Sequence, residues 1–317
     1  MTNSSPITFL FPGQGSQAVG MGKELATNYE VARHTFEEAD DALGYRLSEL
    51  CFDGPEEKLK LTEVTQPAIL TASVAAWRVL KEKGVNPDYV AGHSLGEYSA
   101  HVAAGTLTFA DAVRTVRKRG KYMQEAVPVG VGAMAAILGM PLDRVTQVAA
   151  EAAQGDVCQT ANINSPEQIV ISGNSHAVAR AVQLATERGA KKAVSLPVSA
   201  PFHCALMQPA QDRLAADLRA LTFHDPSCPV LCNVDAVSVM SAEAAQDALI
   251  RQVTGAVRWD ESIRKLIEMG ASLFIEVGPG KVLWGLMRQI DRSKASLTVG
   301  DEASLQKTLA QVSTTVG

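Results

Sequence analysis

The sequence contains the stretch Val90-Ala91-Gly92-His93-Ser94-Leu95-Gly96-Glu97-Tyr98-Ser99-Ala100, in which Gly92-x-Ser94-x-Gly96 has the form of a nucleophile elbow. Such an elbow is a tight turn from a strand into a helix, and it lifts a serine hydroxyl clear of the backbone. Residues 87–91 have the pattern of a short apolar strand, and residues 95–104 have that of a helix. A glycine-flanked turn whose serine only caps the helix is the alternative interpretation.

Apolar runs and helical patterns alternate outward from this elbow and predict an α/β fold built on a parallel sheet. Strands are expected at residues 7–11, 229–233 and 272–277, and helices at 31–43, 66–83, 109–126, 204–221, 243–253, 260–269 and 281–290. Residues 129–197 follow the order β-α-β-β-α-β of a ferredoxin-like unit, with strands at 133–138, 157–161, 168–172 and 192–196 and helices at 141–153 and 175–188. We therefore expect a large catalytic subdomain of residues 1–128 and 198–317 and a small inserted subdomain of residues 129–197.

The composition excludes several classes of protein. Of the 317 residues, 46% are hydrophobic and only 5% are aromatic, which suits helices packed closely through alanine and valine. The net charge of −5 argues against a general nucleic-acid binder, because no excess of cations exists to neutralise phosphates. The five cysteines contain no Cys-x-x-Cys pair, so neither a disulfide scaffold nor a zinc or other metal site is expected.

The sequence also carries signals about location. Residues 1–6 lack a basic segment followed by a long apolar stretch, so no leader peptide is expected. No run of about 18 apolar residues occurs, and a membrane-spanning helix is not expected either. Together with the cysteine pattern, these observations predict a cytoplasmic protein without a membrane partner.

A nucleophilic serine needs a base, and the six histidines supply one distinctive candidate. His203 ends the loop Pro197-Val198-Ser199-Ala200-Pro201-Phe202-His203, which prolines bracket and which rejoins the large subdomain before a helix. A rigid loop of this kind is able to hold an imidazole at fixed geometry. The alternative is that His203 only caps the helix that follows.

Five ordered motifs then carry a resemblance that spans nearly the whole chain. They are Phe11-Pro12-Gly13-Gln14-Gly15-Ser16-Gln17, Gly92-His93-Ser94-Leu95-Gly96-Glu97-Tyr98, Arg119-Gly120-Lys121, Asn162-Ile163-Asn164-Ser165-Pro166 and Glu276-Val277-Gly278-Pro279-Gly280. In this order they resemble the malonyl-CoA:acyl carrier protein transacylases. The resemblance implies an α/β-hydrolase-like core with a ferredoxin-like insert, in agreement with the pattern of elements.

The resemblance also implies a reaction. A malonyl group would pass from coenzyme A to the phosphopantetheine thiol of acyl carrier protein for fatty-acid elongation, by a ping-pong route through a malonyl-serine. The expected partners are acyl carrier protein and the coenzyme A thioester, with no cofactor, and the chain is expected to be a monomer. A discrete malonyl acyltransferase that serves a polyketide synthase would share this chemistry, and the sequence does not separate the two.

Catalytic roles follow from the resemblance together with the chemistry. Ser94 would attack the thioester and His203 would take its proton, with no carboxylate evident behind the histidine. In the family a backbone carbonyl and a glutamine matching Gln252 support the imidazole. The N–H of Leu95, at a helix N-terminus, and the N–H of Gln14, in the glycine-rich loop, would form the oxyanion hole. Gln252 as an ordinary polar helix residue is the alternative.

Selection of the substrate would rest on further residues. Arg119 matches the family's carboxylate-binding arginine, whose planar fork holds a carboxylate through two hydrogen bonds. Phe202 would crowd a methyl branch on the α-carbon and thus favour malonyl over methylmalonyl. Asn162 is expected to face the cleft and Met123 to line an apolar pocket, although a helical methionine is more often plain core.

Two other classes of function compete with this interpretation. Residues 13–18 fit the Gly-x-Gly-x-x-Ala form of a dinucleotide site, but residues 35–39, where a ribose-binding acid should end a strand, have a helical pattern. A serine hydrolase that releases free acid is the second rival. A buried Arg119 and the lack of an acid partner for His203 argue against a hydrolase.

Overall fold

The structure is a computed structural model that describes residues 6–198 and 200–316. Residues 1–5, on which most of the expectation about a leader peptide rests, lie outside the described residues. Ser199, within the predicted histidine-bearing loop, and Gly317 lie outside them as well. None of the helices in the described part of the chain is long and apolar enough to cross a membrane.

The larger of two sheets is mostly parallel and carries the elbow. Its strands are β1 (Ile7–Phe11), β2 (Tyr89–Gly92), β7 (Val230–Leu231), β8 (Ser238–Val239), β9 (Leu273–Val277) and β10 (Ala295–Val299). The spatial order is β10-β9-β1-β2-β7-β8, and only β8 runs antiparallel to its neighbour. Every residue of β1 is buried, as a continuous apolar run predicts for a strand covered on both faces. In the register, Phe11 lies beside Gly92, so the loop after β1 lies next to the elbow.

The smaller sheet is antiparallel and falls between β2 and β7 in the chain. It contains β3 (Gly132–Leu138), β4 (Cys158–Ser165), β5 (Gln168–Asn174) and β6 (Lys192–Ser195) in the order β4-β5-β3-β6. This is the ferredoxin-like order, and the predicted fold class is confirmed. The subdomain boundaries at residues 129 and 197 stay a prediction.

Alternation along β3 gives the small sheet two apolar faces. Ala135 and Ile137 belong to a core that this sheet forms with its own helices. Met134 and Ala136 point the other way, toward the main core, since successive strand residues face opposite sides. One face of the small sheet therefore packs toward the large subdomain, and the other face packs on the small sheet's own helices.

The described helices pack on the two sheets. They are α1 (Lys23–Asn28), α2 (Glu30–Leu43), α3 (Leu47–Asp53), α4 (Glu56–Leu59), α5 (Thr62–Glu82), α6 (Gly96–Ala103), α7 (Phe109–Glu125), α8 (Leu142–Ala153), α9 (Ser175–Glu187), α10 (Gln208–Arg219), α11 (Ala242–Arg251), α12 (Trp259–Glu268), α13 (Val282–Ile290) and α14 (Glu302–Val316). Thr108 caps the N-terminus of α7: its side chain accepts a hydrogen bond from the Asp111 N–H at 3.1 Å. Its buried face includes Val116, Arg119 and Met123, so an arginine lies among apolar residues at helical spacing.

Most predicted elements lie within a few residues of the observed ones, and three boundaries differ by four residues. Helix α5 begins at Thr62, whereas residue 66 was expected. Strand β4 continues to Ser165 instead of ending at residue 161, which places the Asn162–Ser165 motif on a strand. The helix expected over 204–221 begins with a 3₁₀ turn at Ala205–Met207, and α10 starts only at Gln208. Pro209 in the first turn of α10 suits that start, because its missing N–H has no helical partner there.

Candidate active site

The elbow at Ser94 has the backbone geometry that the glycine pattern predicts. Ser94 has φ +51°, a left-handed conformation that costs a non-glycine residue about 1–2 kcal/mol. A Cβ at Gly92 would lie 1.9 Å from the carbonyl oxygen of Gly96, and one at Gly96 would lie 2.0 Å from that of Phe11. The turn is therefore possible only with glycine at both positions.

His203 and Ser94 form a hydrogen-bonded pair. His203 Nε2 lies 2.7 Å from Ser94 Oγ, while Nδ1 faces the backbone carbonyls of Gln252 at 3.0 Å and Gly255 at 3.2 Å. Because carbonyls only accept, Nδ1 carries the proton and Nε2 is free to accept the serine proton. Burial, reinforced by the charge of Arg119, lowers the pKa of His203 to about 3. The imidazole is therefore neutral near pH 7, as a general base must be.

Arg119 extends from α7 into the same site and is only 1% exposed. Its guanidinium donates to Gln66 Oε1 at 2.9 Å, Ser94 Oγ at 3.1 Å and Gln252 Oε1 at 3.0 Å. It also lies over the ring of Tyr98, with 5.7 Å from its central carbon to the ring centroid. Burial lowers the pKa of Arg119, yet an arginine keeps its proton in proteins. Among the described residues the Nε–H has no acceptor, so the cation retains a free donor.

A buried amide network holds the elbow from the opposite side. Asn233 Oδ1 accepts from the Ser94 N–H at 2.6 Å, and Asn233 Nδ2 donates to the Gly92 carbonyl at 2.7 Å. Gln252 Nε2 donates to the Ser94 carbonyl at 2.9 Å and to Glu97 Oε2 at 2.8 Å. The Asn233 N–H donates to the same carboxylate oxygen at 2.9 Å. These contacts fix both sides of the strained serine.

The other predicted site residues line one cavity of about 500 Å³ above the pair. Gln14 and Leu95 border it near Ser94, and their N–H groups donate to no acceptor within the described residues. Asn162 on β4 and Phe202 beside His203 form part of its wall, and both are nearly buried. Met123 lines it too, with Sδ 4.0 Å from Gln66 Nε2. Gln252 is the exception among the predicted site residues: it is fully buried and contacts Arg119 and the Ser94 carbonyl without lining the cavity.

Three buried polar residues of this site were not singled out from the sequence: Gln66, Glu97 and Asn233. Asn233 had a usable signal, because it ends the predicted strand 229–233 and the carboxyl ends of parallel strands face the ligand. Glu97 is inside the elbow motif, one helical turn after Ser94. Gln66 has no comparable signal in the sequence. A single polar side chain in an apolar helix does not indicate which residue it binds.

The remaining residues near the elbow have structural partners. His93 Nε2 lies 2.8 Å from Asn164 Oδ1, so this imidazole is turned toward β4, and burial lowers the pKa of His93. Lys118, on the exposed face of α7, pairs with Asp217. Within residues 6–198 and 200–316 no three His, Cys, Asp or Glu side chains cluster as metal ligands do. Residues 35–39 belong to helix α2, so the strand that a dinucleotide site requires is absent from that segment.

A strained serine on an elbow, a neutral histidine within hydrogen-bond reach and free backbone donors beside them are the parts of an enzyme that forms acyl-serine intermediates. The acyl transferase domain family matches residues 8–308 of this chain. The malonyl CoA-acyl carrier protein transacylase of Bacillus subtilis (strain 168) is 50% identical over 303 residues, covering 95% of this chain and 96% of the relative. The transacylase of Escherichia coli (strain K12) is 51% identical over 283 residues, which cover 89% of this chain and 92% of the relative.

Solved structures agree with these relatives. The malonyl CoA-acyl carrier protein transacylase of Coxiella burnetii has a TM-score of 0.96 at 45% identity and covers 98% of this chain and 99% of that one. A malonyl-transacylase in complex with a type II polyketide acyl-carrier protein has a TM-score of 0.95 at 48% identity. The match covers 97% of this chain and 100% of that one. The chain therefore belongs to the malonyl CoA-acyl carrier protein transacylase family of acyl transferases, and it is an acyltransferase.

Proposed function

We propose that this chain transfers a malonyl group from malonyl-CoA to the phosphopantetheine thiol of an acyl carrier protein, through a malonyl ester of Ser94. One observation carries the proposal: the buried cation of Arg119 lies 3.1 Å from the hydroxyl of Ser94, which His203 contacts from another side. A buried arginine beside a nucleophile suits an acyl group that ends in a carboxylate. The names of the relatives agree with this substrate.

In the first half-reaction Ser94 Oγ attacks the thioester carbonyl while His203 Nε2 takes the serine proton. The tetrahedral oxyanion would accept hydrogen bonds from the N–H groups of Gln14 and Leu95, which line the cavity and donate to no other group within the described residues. Collapse breaks the carbon–sulfur bond, and His203 returns the proton to the coenzyme A thiol. In the second half-reaction His203 deprotonates the carrier thiol, and its sulfur attacks the carbonyl of the serine ester. The carbon–oxygen bond to Ser94 then breaks, His203 returns the proton to Ser94 Oγ, and the malonyl thioester of the carrier is released.

The geometry of the malonyl ester fits the distance between the two side chains. From standard bond lengths, the ester oxygen and the carboxylate carbon of a malonyl-serine are roughly 3 to 4 Å apart. With Arg119 3.1 Å from Ser94 Oγ, the carboxylate of that ester would lie within hydrogen-bond reach of the guanidinium. The serine and the arginine would thus hold the two ends of one three-carbon unit.

Four further residues would shape the acyl site. Gln252 would orient Arg119 with its side chain and His203 with its backbone carbonyl. Phe202 would narrow the space at the α-carbon against a methyl branch, and Met123 would supply an apolar wall. Asn162 would face the substrate from the small sheet.

The proposed carrier is an acyl carrier protein of fatty-acid synthesis. A carrier of polyketide synthesis is the second candidate, because a relative of 48% identity is the malonyl-transacylase of a type II polyketide acyl-carrier protein. Both carriers present the same thiol, so the chemistry at Ser94 is common to them. Rates of transfer to each purified carrier would decide between the two.

The proposed reaction exchanges a thioester for an ester and back, so it requires no redox or carbanion-stabilising cofactor. We place it in the cytoplasm, in keeping with the five free cysteines, four of them buried. A monomer is sufficient, since Ser94, His203 and Arg119 come from one chain.

Mass spectrometry of the intact protein tests the proposal. After incubation with malonyl-CoA the wild type should gain one malonyl group, and Ser94→Ala should gain none. Addition of a carrier protein bearing phosphopantetheine should move the group to the carrier, with little free malonate. Labelling of Ser94→Ala would refute the serine intermediate, and discharge mainly to water would favour the hydrolase.

A further inference from the structure

Glu97 is a buried carboxylate that the proposed reaction does not use. It lies in the first turn of α6, three residues after Ser94, and it is 0% exposed. A buried acid is costly unless it is hydrogen-bonded, so its contacts indicate what it does. Oε2 accepts from the Asn233 N–H at 2.9 Å and from Gln252 Nε2 at 2.8 Å.

The contact with Gln252 determines which way that amide faces. Gln252 Nε2 donates to Glu97 and to the Ser94 carbonyl, and Oε1 accepts from Arg119 at 3.0 Å. If the amide were flipped, its oxygen would face two acceptors and its NH₂ group would face the guanidinium. The carboxylate oxygen of Glu97 and the carbonyl oxygen of Ser94 thus bind the NH₂ group of Gln252, and this orients the amide oxygen of Gln252 toward Arg119.

The position of Glu97 also suits a site that must receive a carboxylate. Among the described residues the direct hydrogen-bond partners of the Arg119 guanidinium are a hydroxyl and two amide oxygens, and none is a carboxylate. A resident carboxylate in direct contact would compete with the substrate for the cation. Glu97 is one amide removed: it contacts Gln252, and Gln252 contacts Arg119, so the carboxyl group does not cover the donors of the guanidinium.

The hydrogen-bonding role of Glu97 does not depend on its protonation. Burial raises the pKa of Glu97 to about 7. Oε1 makes no hydrogen bond in the described part of the chain, and the buried His101 Nε2 lies 3.9 Å from it, so a proton on Oε1 leaves Oε2 free to accept. The contacts with Asn233 and Gln252 are compatible with both states.

We propose that Glu97 is a positioning residue for recognition of the substrate carboxylate: through the amide of Gln252 it fixes the direction of the Arg119 guanidinium. This inference rests on the proposed function, in which Arg119 binds malonyl. Because Glu97 acts on the cation, its loss should lower the reaction of a carboxylate-bearing acyl group more than that of a neutral one.

The test compares malonyl-CoA with acetyl-CoA as acyl donors. Glu97→Met removes both carboxylate oxygens at similar size, and Glu97→Gln keeps an acceptor oxygen. For Glu97→Met we expect kcat/KM for malonyl-CoA to fall about tenfold, mainly through KM, as loss of one hydrogen bond produces. The value for acetyl-CoA should change less than about threefold, and Glu97→Gln should stay within about threefold of wild type for both donors.

A structural role alone predicts a different result. Equal losses for the two donors, no loss in Glu97→Met, or an equal loss in Glu97→Gln would overturn the inference. Action through the amide further requires that Glu97→Met add no loss of selectivity in a Gln252→Met background. If Glu97→Met does not fold, Glu97→Asp, whose carboxylate is one methylene shorter, should show the same selective loss, and its absence would refute the proposal.

The two proposals fail in distinguishable ways. If the wild type forms no malonyl-serine, the proposed function is wrong. If the wild type forms it and passes it to the carrier, while the donor preference of Glu97→Met is unchanged, only the role of Glu97 is wrong.

Discussion

The choice between a charged and a neutral acyl group should depend on Arg119. Replacement by alanine removes the cation that lies 3.1 Å from Ser94 Oγ and is 1% exposed. A hydrogen bond to a charged group contributes about 1.5–3 kcal/mol, and burial keeps solvent from screening it. At about 1.4 kcal/mol per tenfold, the ratio of kcat/KM for malonyl-CoA to that for acetyl-CoA should fall by about 10- to 150-fold.

The ratio isolates recognition from damage to the site. Arg119→Ala also leaves the acceptor oxygens of Gln66 and Gln252 without their donor, and that loss affects both acyl groups alike. Arg119→Lys keeps a charge but not the planar fork, so it should restore the preference only in part.

The assay is the rate of acyl-enzyme formation from each donor, followed by mass spectrometry of the intact protein. Lys118→Ala is the matched control, because this neighbouring cation is half exposed and paired with Asp217. Its donor preference should equal that of wild type. If Arg119→Ala kept the wild-type preference for malonyl, another cation would have to bind the carboxylate and the reasoning would be refuted.

Three further outcomes are expected at the elbow and its base. His203→Ala should slow serine acylation by at least about 10²-fold in rapid-quench experiments, the lower range for loss of a general base, and near wild-type rates would show that His203 is not the base. Because burial and the charge of Arg119 lower the pKa of His203 to about 3, the neutral base persists as the pH falls. Acylation should therefore stay level from about pH 8 to about pH 5, and a midpoint near the ordinary histidine value of about 6.5 would contradict this. Asn233→Ala removes the clamp on the Ser94 N–H and the Gly92 carbonyl, so steady-state rates with malonyl-CoA and acetyl-CoA should fall together by about tenfold. A loss confined to malonyl-CoA would assign Asn233 to recognition instead.

Local patterns were sufficient to predict the elements that carry the site. The apolar run at Ile7–Phe11 and the glycines around Ser94 predicted a strand and an elbow, because backbone strain and burial leave few alternatives there. Helix 204–221 was partly wrong, since a helical pattern does not reveal a 3₁₀ turn at its start. The two-residue strand β8 is too short to have a pattern of its own.

The contacts between distant residues were less accessible. The resemblance pointed to Arg119 and Gln252, but not to the hydrogen bond that joins them across 133 positions of the chain. The Asn233 and Glu97 contacts depend on how β7 lies beside β2, which no local pattern encodes. Sequence thus indicated which residues have the chemistry, and tertiary packing determined which of them position the others.

The two sheets contribute different parts of the site: the reacting groups lie beside the large sheet, and one wall of the cavity comes from the small sheet. Ser94 and Arg119 belong to elements that pack around the parallel sheet, whereas Met134, Ala136 and Val170 reach the cavity from the antiparallel one. Substitutions in the wall that the small sheet supplies can change the cavity volume available to an acyl chain while the hydrogen bond between Ser94 and His203 is retained. Variation in acyl length can thus arise on the small sheet alone, apart from the α-carbon contact proposed for Phe202, and an engineer seeking longer acyl groups should begin with Met134, Ala136 and Val170.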